Sequence, residues 1–152
     1  MLVAVLAALL SLSGCFGRGG APDPSPTSTL TLNPGERGIE GQRVVVAKGA
    51  EVVQATLVQR CDGEACTRLP GTPLGKLVVF EPKPVVSVTF ELEPDAVSGV
   101  VRRDGRRGEP VTLSAGTLVA WRPLVQPGRS ELRIIATYGT QRLEWLAIIA
   151  RK

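Results

Sequence analysis

The chain has 152 residues, with 18 Lys and Arg against 14 Asp and Glu, and a formal net charge of +4. It has no histidine, which removes the commonest general base, the Ser-His-Asp arrangement and the commonest metal ligand together. Apolar residues make up 43% but aromatics only 4%, so the length supports one domain built on an aliphatic core.

Residues 2–10 form an uncharged apolar run of signal-peptide length. It falls well short of the roughly 20 residues needed to cross a bilayer. Leu12-Ser13-Gly14-Cys15 follows. This pattern resembles the lipobox of bacterial lipoproteins. The resemblance implies that residues 1–14 are a signal peptide and that Ser13 and Gly14 are the small residues its peptidase requires. It also implies that Cys15 becomes the lipid-carrying mature N-terminus on the extracytoplasmic face of the cell membrane. The chemistry agrees, because a thiolate alkylates readily and each buried acyl CH₂ contributes about 0.8 kcal/mol of membrane affinity. No Lys or Arg precedes the apolar run, so the expected translation start lies upstream. Phe16 follows the cysteine, so nothing here resembles an inner-membrane retention Asp.

Residues 15–37 then read as a lipidated Cys followed by a flexible tether. Gly17, Gly19 and Gly20 loosen the chain, while Pro22, Pro24 and Pro26 extend it at about 3.1 Å per residue.

From residue 38 to 152 the texture changes to short β-branched runs separated by Gly, Pro and Asp. Strands are expected at 42–48, 52–60, 76–80, 85–93, 97–103, 109–114, 117–122, 131–138 and 142–150. Val86, Val88, Phe90 and Leu92 alternate with Ser87, Thr89, Glu91 and Glu93, which marks a strand buried on one face. Leu132, Ile134, Ala136 and Tyr138 repeat the pattern. Asp104-Gly105 suits a type I′ hairpin, and Glu81-Pro82-Lys83-Pro84 reads as a crossover because Pro cannot sit in a central strand. Many short strands at roughly ten-residue spacing give an all-β antiparallel sandwich of immunoglobulin-like size. The end of the chain, Pro127-Gly128 with the runs 132–138 and 143–149, resembles the last two strands of bacterial immunoglobulin-like domains. The antibody-type inter-sheet disulfide and tyrosine corner are absent from that pattern.

With Cys15 given to lipid, Cys61 and Cys66 are left as a pair, expected as a structural disulfide closing a tight hairpin. A redox-active pair fits less well, since the spacing is not C-x-x-C and no helix N-terminus lowers a thiol pKa. Asp62 and Glu64 supply only two of the six or more oxygens a Ca²⁺ ion needs. Glu91 and Glu93 have the spacing of a glycosidase pair, but solvated strand faces carry such pairs constantly. Trp121 and Trp145 sit in alternating runs and are expected in the core.

The most distinctive stretch is Arg102-Arg103-Asp104-Gly105-Arg106-Arg107. It places Arg102, Arg103, Arg106 and Arg107 around one hairpin tip, as solvent-exposed guanidinium groups suited to phosphate or carboxylate. A charged tip that only keeps a sheet edge from aggregating is the competing reading. The whole predicts a lipid-anchored, non-catalytic binding or structural module of the cell envelope, with no metal or cofactor. Its expected partners are the membrane, through the lipid, and an anionic envelope polymer, lipid or protein, not nucleic acid. The alternative is an accessory subunit of an envelope protein complex.

Overall fold

The computed structural model describes residues 38–152; the signal peptide, Cys15 and the tether expected before them lie outside the described residues. A 3₁₀ turn at Ile39–Gly41 leads into β1 (Val44–Lys48), β2 (Glu51–Gln54), β3 (Thr56–Asp62) and β4 (Ala65–Arg68). Then follow β5 (Leu77–Val79), β6 (Val86–Phe90), β7 (Ala96–Arg103) and β8 (Arg106–Arg107). β9 (Val111–Leu113), β10 (Leu118–Trp121), β11 (Gly128–Tyr138) and β12 (Gln141–Arg151) complete the domain. Among the described residues no helix is long and apolar enough to cross a membrane.

The strands form an all-β sandwich. The smaller sheet has the order β10-β6-β1-β2, and the larger β4-β3-β12-β11-β7-β8, with β5 beside β12 and β9 beside β7. Pairing is antiparallel except for β5, which runs parallel to the end of β12. Alternation explains the layers. Val44, Val46, Val86, Val88 and Val119 of the small sheet face Leu132, Ile134, Ala136, Leu143, Trp145 and Ile149 of the large one. Each Val, Leu and Ile side chain among them gains about 1.5–3 kcal/mol from burial, which offsets the cost of ordering the chain.

One expected strand is two. The run 52–60 breaks at Ala55, whose N–H donates to the Val44 carbonyl at 2.8 Å and ends the ladder with β1. Beyond it the chain leaves the small sheet, and β3 pairs with β12 in the large one. The small, buried side chain of Ala55 lets the backbone pass between layers. β4 and β8 are additional short strands, each the return arm of a hairpin whose turn was expected.

Tyr138 fastens the end of the domain at which residue 38 begins. Its hydroxyl lies 3.1 Å from both the Leu92 carbonyl and Gln42 Oε1, and its one proton is shared between them. Gln42, itself buried, accepts from the Leu92 N–H and donates to the Ile39 carbonyl. Burial pushes the Tyr138 phenol up to about 12, above its usual value of 10.0. The folded state therefore favours the neutral phenol, and this contribution is complete below pH 10 and lost as pH rises through 12. Tyr138 is the only tyrosine, so phenolate absorbance reads it directly. The wild type should lose stability across that window while Tyr138→Phe loses less there. At neutral pH the variant should be weaker by about 1 kcal/mol. A phenolate titrating with an ordinary midpoint would refute the clasp.

Candidate functional site

The registers set two ends. At one, Val44 lies opposite Phe90, Tyr138 opposite Gln141, and Gln141 opposite Asp62. This end, where residue 38 begins, carries Glu40, Asp62, Glu64, Glu91, Glu93 and Asp95 against Arg43, Arg60 and Arg142. The other end holds the β7–β8 turn, the segments 81–85 and 122–127, and the C-terminus. Cations gather there, and the domain is electrically polar along its strands.

The Arg-rich hairpin forms as its sequence dictates. Asp104 and Gly105 have φ of 47° and 74°, the two positive values that a type I′ turn demands. Arg102 then lies directly opposite Arg107, and Arg103 opposite Arg106. Like charges placed across a ladder destabilise it, so this hairpin carries a cost that its own packing does not explain. Asp104 answers one of the four, its carboxylate 3.1 Å from Arg103 Nε. The expectation that all four are solvent-exposed needs correction. Arg106 and Arg107 are exposed, but Arg102 and Arg103 are half-buried, because their strand runs beside β11. Arg102 Nε is fully enclosed with no hydrogen-bond partner.

Two open grooves flank the hairpin. The first, of about 660 Å³, lies on the large sheet and is lined by Arg68, Arg102, Arg129, Arg133, Glu131 and Leu146. Arg133 is spoken for: it is ion-paired with Glu144 and with Glu131. Burial works against its charge, but those two carboxylates raise its pKa above the ordinary value. The second groove, of about 940 Å³, runs between the hairpin and the segment after β10. Lys83, Arg106, Arg107 and Arg122 line it with Trp121 and Leu124, and Glu109 is its acid besides Asp104. Arg103, Asp104 and Ser130 line both grooves. Ser130 is only 2% exposed, and its hydroxyl has no partner.

No family model, curated protein or solved structure matches the chain.

The other expected residues fall elsewhere. Cys61 and Cys66 are joined, with S–S 2.09 Å, across the β3–β4 hairpin at the acidic end. A loop this short gains about 2 kcal/mol from closure. Arg142 Nη2 lies 3.4 Å from Cys61 Sγ and covers the bridge. Glu91 and Glu93 lie beyond the end of β6, and Glu91 Oε2 accepts from the Arg43 N–H at 3.0 Å. Trp121 and Trp145 are both buried. Among the described residues no group of three or more His, Cys, Asp or Glu could hold a metal ion.

Sequence reasoning missed Lys83, Arg122, Arg129 and Ser130. Arg122 and Arg129 bracket the Pro127-Gly128 turn, and Lys83 sits in the proline crossover. The Val125 N–H bonds the Pro82 carbonyl at 2.9 Å, which brings those two segments together. Planar guanidinium forks on an open surface bind phosphate or carboxylate bidentately, and such binding needs no deep pocket.

Proposed function

We propose that this chain is a lipid-anchored, extracytoplasmic, immunoglobulin-like module that acts without catalysis, binding an anionic component of the cell envelope through its cationic end. Anchoring rests on the Leu12-Ser13-Gly14-Cys15 pattern. Binding rests on one observation: two cross-strand Arg pairs kept at a hairpin tip that they destabilise, with a single carboxylate among them.

The test has two arms. Cys15→Ser in the full chain should abolish lipid labelling and release the protein from membranes; an acylated, membrane-bound Cys15→Ser protein would end the anchoring reading. Arg106→Gln with Arg107→Gln should keep the fold and raise stability slightly, by no more than about 0.5 kcal/mol per change, since both side chains are exposed and both like-charge pairs are removed. Retention of the wild type on anionic polymer should fall steeply with salt, and the double variant should be retained less. Equal retention at low salt would leave the tip a solvated loop. The accessory-subunit reading draws on the edge strand β10, where Leu118 is 66% exposed. Salt-insensitive co-purification with one protein would favour it.

A further inference from the structure

We propose that the ligand is a linear polyanion, a chain with charged groups repeated along its length, laid across the β7–β8 hairpin so that it occupies both grooves at once. The inference rests on the anion-binding reading above and names the ligand class for that site.

Continuity comes first. Arg103, Asp104 and Ser130 line both grooves, so the hairpin is a ridge between them and not a wall. Cations without an ion-pair partner among the described residues then stand on either side. Arg68, Arg102 and Arg129 are in the first groove; Lys83, Arg106, Arg107 and Arg122 are in the second. One phosphate or carboxylate accepts two or three such donors. The remainder call for further anionic groups at a distance from the first.

Two enclosed polar atoms point the same way. Ser130 Oγ and Arg102 Nε belong to residues lining the first groove, and neither has a partner. Both lie just beneath the groove surface, so its floor is polar and unsatisfied rather than apolar.

The two ends of the domain are well separated. β11 and β12 each span 11 residues. At about 3.4 Å per residue the cationic end lies some 35 Å from the end where residue 38 begins. A ligand on the cationic end therefore lies well away from residue 38, where the described domain begins.

The experiment uses the full chain carrying Cys15→Ser, without detergent, with three probes: inorganic phosphate, polyphosphate of graded length, and phosphatidylglycerol vesicles referred to phosphatidylcholine vesicles. Affinity should rise by at least about tenfold once the polyphosphate is long enough to reach both grooves, as two linked contacts replace one. Arg68→Gln with Arg129→Gln, and separately Arg106→Gln with Arg107→Gln, should each weaken binding and flatten that length dependence. Affinity per phosphate that is independent of length overturns the proposal and leaves a single-anion site. So does sensitivity to only one of the two pairs. Tighter binding to the vesicles than to any polyphosphate overturns it in favour of the membrane surface. Absence of salt-sensitive binding to all three probes defeats the anion-binding reading itself. The length series on the Cys15→Ser chain stands even if a further variant fails to fold.

Discussion

Gly99→Ala should cost the domain about 3 kcal/mol, towards the upper end of what overpacking a core incurs. Gly99 is buried in the middle of β7, where it pairs with Ile134 on one side and Val111 on the other. A Cβ there would meet the Trp121 ring at 2.6, 2.7 and 2.8 Å, distances that real side chains do not tolerate. The ring is rigid and enclosed, so it cannot swing aside as a flexible side-chain end would. Its strand, β10, belongs to the opposite sheet, so relief would mean prying the layers apart. Alanine otherwise suits a strand better than glycine by about 0.5–1 kcal/mol, and the clash should outweigh that gain. For a domain of this size the loss corresponds to a melting temperature lower by roughly 10 °C. Trp121→Leu should recover part of the loss in the Gly99→Ala background while destabilising the parent. That sign reversal is the check. If Gly99→Ala melts with the parent, the indole does not pack on this backbone.

The same pair shows what a sequence can and cannot announce. Trp121 was legible as a core residue, because it alternates with Val119 in a short β-branched run. Gly99 falls inside the expected strand 97–103 with no local signal of its own. Its reason lies in a residue of the other sheet, and no local pattern encodes that. The break at Ala55 was hidden for a related reason. Val52, Val53, Thr56, Leu57 and Val58 all favour extended backbone, and a strand that changes sheets needs neither Gly nor Pro. Turns were easier, because Asp104-Gly105 states its own backbone geometry. The hairpin half of the candidate site was therefore readable from contiguous residues. The other half was not, since Lys83, Arg122, Arg129 and Ser130 meet only through the topology of two sheets. Burial of Arg102 and Arg103 was equally invisible, as it depends on β11 lying alongside.

Trp145→Ala should be the most damaging single change, at about 3–5 kcal/mol, from lost transfer energy and a cavity that the sheets cannot close. Trp145 is 1% exposed and sits on the inner face of β12, opposite Ile134 of β11 and Leu57 of β3. It also joins the layers. The Phe90 ring, on β6 of the smaller sheet, meets it edge-on with centroids 6.1 Å apart and planes at 76°. Such a pair adds about 0.5–1.5 kcal/mol beyond the area it buries. Small domains have only about 5–15 kcal/mol of total stability, so the expected loss is a large share of it. Denaturant unfolding should show a lower midpoint with an unchanged slope, since the native fold and its exposed area are kept. Trp145→Phe should lose less, and Trp145→Phe combined with Phe90→Leu should be less damaging than the sum of the two single changes. Strict additivity would mean that the rings touch without coupling. A Trp145→Ala midpoint equal to that of the parent would mean that β12 does not hold the two sheets together at this residue.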